Sequence, residues 1–141
     1  MKNVPSRILI ADDDAGIRSA VQATLEAEGY EVACAEDGRK AIEAILNQSF
    51  DLAILDLSMP FLDGLEVLKE LRLVRSKDYL PPILILTAHG SVTAAVESAR
   101  RGTVDFLHKP ISPETLRMAV RRGIEGLSAH PLVGPEDNYF G

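Results

Sequence analysis

The chain is expected to fold as a doubly wound α/β domain, a parallel sheet of five strands with helices on both faces. Three observations predict this. The runs Ile8-Leu9-Ile10-Ala11, Leu52-Ala53-Ile54-Leu55 and Ile83-Leu84-Ile85-Leu86 are continuously apolar rather than alternating, as strands buried on both faces must be. Stretches with apolar residues at helical spacing separate them. Glycines and prolines stand where one pattern gives way to the other. Strict alternation of strand and helix leaves few topologies, because crossovers between parallel strands are right-handed.

The first strand is placed at Arg7–Ala11. Ile17, Val21 and Leu25, with Ala20 and Thr24 beside them, make the first helix, which Asp14 caps ahead of Ala15-Gly16-Ile17-Arg18. After Gly29 the second strand runs near Glu31–Ala35. After Gly38, Ala41, Ile42, Ile45 and Leu46 form the stripe of the second helix. The third strand is Asp51–Leu55, and Asp63-Gly64 opens a third helix carrying Val67, Leu68 and Leu71. Pro81-Pro82 ends that helical stretch before the fourth strand, Ile83–Leu86. A fourth helix is assigned ahead of Gly102, and the fifth strand is Val104–Leu107. Ser112-Pro113-Glu114 reads as a capped helix start with proline in the first turn. In that fifth helix Leu116, Val120, Ile124 and Leu127 face one way, while Arg117, Arg121 and Glu125 face solvent. From Ser128 the apolar period is lost, so residues 1–127 are read as one domain and 128–141 as a linker or disordered tail.

Composition narrows the function classes. With 141 residues, 46% apolar and 26% charged, the chain can bury a real core as one globular domain. A net charge of −6 disfavours a general nucleic-acid or membrane surface. The single cysteine, Cys34, excludes a disulfide framework and is expected to be a small buried hydrophobe. Neither a signal peptide nor a membrane-spanning run is evident, so a reducing, cytoplasmic setting is expected.

The chemistry lies just past the strands. Asp12-Asp13, Asp56, Thr87 and Lys109-Pro110 follow the first, third, fourth and fifth strands. In a parallel sheet the carboxyl ends of the strands line one crevice, where ligands bind. Adjacent acids could simply cap a helix, but Asp14 already serves there. The crowding of Asp12, Asp13 and Asp56 is tolerable only if a cation neutralises them. Hard oxygen ligands favour Mg2+. Asp56 is the candidate nucleophile, since Asp63 fills the nearby capping position and a carboxylate can attack phosphorus to give an acyl phosphate. Thr87 could hydrogen-bond a phosphoryl oxygen, and Lys109 could pair with another. A cis Lys109–Pro110 bond is expected to aim the amine inward.

These segments together carry a resemblance. Ile10-Ala11-Asp12-Asp13-Asp14, Leu55-Asp56-Leu57-Ser58-Met59-Pro60 with Asp63-Gly64, Thr87-Ala88 and Asp105-Phe106-Leu107-His108-Lys109-Pro110 closely resemble the receiver domain of two-component response regulators. The match extends from about Arg7 to Leu127. It implies a flavodoxin-like (βα)5 fold with strand order 2-1-3-4-5, and a signalling switch rather than an enzyme. A sensor histidine kinase or phosphotransfer protein would phosphorylate the aspartate matching Asp56. Residues matching Asp12, Asp13 and Asp56, with the main-chain carbonyl of Ser58, would bind Mg2+. Thr87 and Lys109 match the phosphate-sensing pair, and Phe106 falls on the aromatic switch position, where many relatives carry tyrosine. By the same resemblance Pro110 would have a structural role, while Ser58 and His89 would flank the phosphoryl group and tune its lifetime. The face around the fourth helix, fifth strand and fifth helix would report the change to an output partner or to a second copy of the chain. The stretch from Thr87-Ala88-His89-Gly90-Ser91 to Glu97 is most similar to receivers of nitrogen-regulator-type or nitrogen-fixation-type transcription regulators.

Rival readings fit less well. A phosphatase of the haloacid-dehalogenase kind would need a second acid where Ser58 stands. A nucleotide or flavin binder would need glycine amides where Asp12-Asp13-Asp14 puts negative charge. A module that is never phosphorylated is disfavoured because every functional position holds a competent residue type. Arg100, Arg101, Arg117, Arg121 and Arg122 are interspersed with acids, so direct nucleic-acid contact by this domain is not expected.

Overall fold

The computed structural model describes residues 4–76, 79–88 and 105–126. Five strands, β1 (Arg7–Ala11), β2 (Glu31–Ala35), β3 (Leu52–Asp56), β4 (Ile83–Thr87) and β5 (Asp105–His108), form one sheet in the order β2-β1-β3-β4-β5. All pairings are parallel. The helices α1 (Ala15–Glu26), α2 (Gly38–Asn47), α3 (Gly64–Val74) and a C-terminal helix (Pro113–Glu125) connect or follow them. The helix assigned between the fourth and fifth strands, with His89 and Gly102, lies outside the described residues, as does 127–141.

Alternation along the strands distributes the core between the two faces of the sheet. Leu9, Ala53, Leu55, Ile83 and Ile85 meet Ala41, Ile45, Val67, Leu68 and Leu71 from α2 and α3. Ile8, Ile10, Leu52, Ile54, Leu84 and Leu86 meet Val21 and Leu25 of α1, and Leu116, Ala119 and Val120 of the C-terminal helix. Every residue of β3 and β4 is buried. A continuous apolar run is thus what a central parallel strand requires, one set of side chains for each helical layer.

The helix starts use local chemistry. Asp14, Asp37, Asp63 and Ser112 each accept a backbone N–H three residues on. Asp63 adds the reciprocal bond, in which Glu66 accepts from its backbone N–H. Two glycines are required by space. A Cβ on Gly38 would lie 2.3 Å from the Leu62 carbonyl oxygen, and one on Gly64 2.7 Å from that of Asp56. α3 therefore begins against the end of β3.

Two expectations need adjustment. Asp56 and Thr87 are the last residues of their strands rather than the first beyond them, and β5 runs through His108. Cys34 is not a buried hydrophobe: it is exposed, with its Sγ 3.4 Å from Gln22 Oε1. β2 stands at the sheet edge, where α1 covers it only in part, so an apolar neighbourhood in sequence did not translate into burial. No helix among the described residues is long and apolar enough to cross a membrane.

Candidate functional site

The carboxyl end of the sheet gathers the predicted side chains because three interior strands stop together. The N–H of Asp12 donates to the Ala35 carbonyl at 3.1 Å, which ties the exit of β1 to that of β2. The N–H of Leu57 donates to the Leu86 carbonyl at 2.7 Å, and that of Gly64 to the Leu57 carbonyl at 3.1 Å, closing the chain after Asp56. The N–H of Lys109 donates to the Thr87 carbonyl at 2.8 Å, and the following Lys109–Pro110 bond is cis. That isomer agrees with expectation.

Asp12 and Asp56 are buried, at 0% and 3% exposure. Lys109 Nζ lies between them, 2.9 Å from Asp12 Oδ2 and 3.1 Å from Asp56 Oδ1. Asp13 is exposed at the rim, and Asp12, Asp13 and Asp56 each offer a carboxylate oxygen within 4.8 Å of the others. One lysine faces two buried carboxylates and a third nearby, so negative charge is left over. Burial holds the Asp56 carboxyl above its ordinary range, with Asp12 pushing the same way and Lys109 opposing. Burial would lower the Lys109 ammonium, but the two carboxylates outweigh it and raise its pKa.

A cation would fit this donor set. The oxygens are all hard carboxylates, and Asp12 Oδ2 is buried with no aligned hydrogen bond despite its ion pair with Lys109. Lys109 meets that oxygen with one positive charge, and the charge that the three carboxylates leave uncompensated is what a cation would neutralise.

The remaining candidates fall around this centre. Thr87 is buried at the end of β4, and in the β4–β5 register it stands opposite His108, next to Lys109. Ser58 is exposed on the loop after Asp56, with Met59 behind it in the core. Phe106 is half-buried and packs on the α2–α3 side of the sheet. Pro110 lines an apolar groove beside Lys109, with Ile17, Ala20, Val21 and Ala88. His89 is outside the described residues. One participant escaped sequence reasoning. Arg18 Nη1 donates to the Asp12 carbonyl at 2.7 Å. Its only signal was a cation in the first turn of a helix, where the dipole favours an acid.

Residues 8–121 match the family model described as the response regulator receiver domain. The chain belongs to that family. This receiver domain is 42% identical over 118 residues to response regulator MprA of Mycolicibacterium vanbaalenii, covering 84% of this chain and 50% of the relative. It is 38% identical to the transcriptional regulatory protein ZraR of Escherichia coli, over 83% of this chain and 26% of ZraR. The chain thus spans half or less of these curated relatives. Among solved structures, a CheY-like receiver domain protein from Methanospirillum hungatei superposes with a TM-score of 0.78 at 29% identity, over 87% of this chain and 96% of that one. NtrX from Brucella abortus gives 0.76 at 32% identity, over 87% of this chain and 28% of NtrX. The flavodoxin-like order 2-1-3-4-5 is common to the family and to the sheet described above.

Proposed function

We propose that the chain is a phosphorylation-activated switch in which Asp56 takes a phosphoryl group from a sensor histidine kinase or phosphotransfer protein. The observation that carries this reading is the convergence of Asp12, Asp13 and Asp56 around Lys109. An Asp56 oxygen attacks phosphorus, the N–P bond of the donor's phosphohistidine breaks, and the electron pair returns to the imidazole, leaving an acyl phosphate on Asp56. A groove of about 420 Å³ lies beside Lys109, between Ile17 and Val21 on one side and Pro110 and Ile111 on the other.

Asp12, Asp13, Asp56 and the main-chain carbonyl of Ser58 would hold Mg2+. When bound, the ion would supply positive charge between the attacking carboxylate and the phosphoryl oxygens. Lys109 contributes a fixed ammonium. It remains protonated at neutral pH because both neighbouring carboxylates favour that form, and it can exchange its contact with Asp56 Oδ1 for a phosphoryl oxygen. The Thr87 hydroxyl can donate to a phosphoryl oxygen once the group is present. Its movement changes the space open to Phe106, whose ring then biases the face formed by the fourth helix, β5 and the C-terminal helix. Phe106 has no hydroxyl to satisfy in either position. Exposed Ser58 leaves a path for the water that hydrolyses the acyl phosphate, and His89 acts on the same step. The output is a partner or a transcription-regulating domain, with pairing of two copies through the same face as a second route. Residues 128–141 would be a linker or disordered tail.

The test is intact-protein mass spectrometry after treatment with acetyl phosphate. Wild type should gain one phosphoryl group only when Mg2+ is present, and Asp56→Asn should gain none. Labelling that survives in Asp56→Asn would remove Asp56 as the acceptor.

A further inference from the structure

We propose that Arg18 is a positioning residue for the cation site, holding the Asp12 carbonyl so that the Asp13 carboxylate points inward. The inference rests on the Mg2+ reading above. Arg18 is the fourth residue of α1, where a cation opposes the helix dipole. Instead of extending into solvent, its guanidinium turns back past the helix start to a part-buried carbonyl, six residues away in sequence, at 2.7 Å.

The consequence follows from how differently the two adjacent acids are held. Asp12 is held at each of its polar groups, Oδ2 by an ion pair and the others by hydrogen bonds. Its N–H meets the Ala35 carbonyl, its Oδ1 accepts from the Asp14 N–H at 2.9 Å, its Oδ2 pairs with Lys109, and its carbonyl accepts from Arg18. The Asp13 carboxylate is exposed and has no hydrogen bond or ion pair among the described residues. Its backbone sets where it starts from. The Asp12–Asp13 peptide is a rigid plane, so fixing the Asp12 carbonyl also fixes the amide of Asp13 and the place of its Cα, from which the carboxylate reaches the site. Mg2+ demands near-ideal octahedral geometry, so it is sensitive to the direction of a single carboxylate.

Charge alone predicts the opposite result. A guanidinium near a divalent cation repels it, so removing Arg18 would tighten binding if positioning were unimportant. Isothermal titration calorimetry with Mg2+ on wild type, Arg18→Met and Arg18→Lys separates the two effects. Arg18→Met should weaken binding roughly threefold to tenfold, the size expected for one lost hydrogen bond, with Arg18→Lys in between. The Mg2+ concentration for half-maximal labelling by acetyl phosphate should rise by the same factor, while the rate at saturating Mg2+ stays unchanged. Equal or tighter binding by Arg18→Met overturns the proposal, as does a variant that loses stability in EDTA yet keeps wild-type affinity. If Arg18→Met fails to fold, Arg18→Gln takes its place with the same expected outcome. Wild type that binds no Mg2+ would overturn the cation reading and this inference together, whereas binding by wild type and Arg18→Met alike would remove only the role of Arg18.

Discussion

β2 and β3 are both five-residue parallel strands rich in small or branched apolar residues, yet they have almost nothing else in common. β3 lies between β1 and β4 and is buried along its whole length. β2 has a neighbour on one side only and buries just Ala35 fully. The difference extends to their ends. β3 delivers Asp56 into the crevice on backbone held from both sides, while β2 contributes only the Ala35 carbonyl that anchors Asp12. A strand's neighbours, more than its composition, decide whether it can carry a side chain to a set place.

The widest gap between the two strands should appear in stability. Leu55→Ala, at a position with 0% exposure, is expected to cost about 3 kcal/mol. Cys34→Ser on the exposed β2 position should stay within about 0.5 kcal/mol. Urea unfolding of both variants would break the contrast if their losses were similar.

The end of β3 offers a sharper test, because burial holds Asp56 above its ordinary pKa of 3.8. The folded state then binds that proton more tightly than the unfolded chain does. Stability from this group is complete below 3.8 and is lost as pH rises through the elevated folded value. Asp56→Asn should accordingly melt higher than wild type at neutral pH in EDTA. The advantage should shrink on acidification through that interval, and Mg2+ should also reduce it by stabilising only the wild type. Thermal melts across pH that show a constant difference would contradict this account of the site.

A smaller gain is expected in the loop that leaves β3. Phe61 is 82% exposed and adopts φ +71, with the Leu62 N–H donating to the Pro60 carbonyl at 2.8 Å in a γ-turn. Left-handed backbone costs an L-residue about 1–2 kcal/mol, part of which glycine returns through its greater unfolded freedom. Phe61→Gly should therefore stabilise the domain by about 0.5–1 kcal/mol in chemical denaturation. A destabilised variant would mean that the ring makes contacts worth more than the backbone strain.

Much of the site was legible from residues because its parts sit at strand ends, and strand ends follow from apolar runs. Asp12, Asp13, Asp56, Thr87 and Lys109 could each be placed by that rule. Arg18 could not, since its role depends on a side chain reversing direction over the start of α1. The exposure of Cys34 was equally hidden, because it depends on how much of the edge strand the neighbouring helix covers. Phe61 carried no glycine or asparagine to announce a left-handed turn.

By itself, the amino-acid order determined the alternation of strands and helices, the capping aspartates and serine, and the set of acids with one lysine that an α/β sheet would bring together. These are matters of local periodicity and of hydrogen bonds between residues close along the chain. The folded structure alone decided that Lys109 bridges Asp12 and Asp56, that Cys34 stays exposed on β2, and that Arg18 holds the carbonyl between two adjacent acids. Those outcomes depend on contacts between residues whose separation along the chain says nothing about their distance, and on burial, which no residue can set without its neighbours.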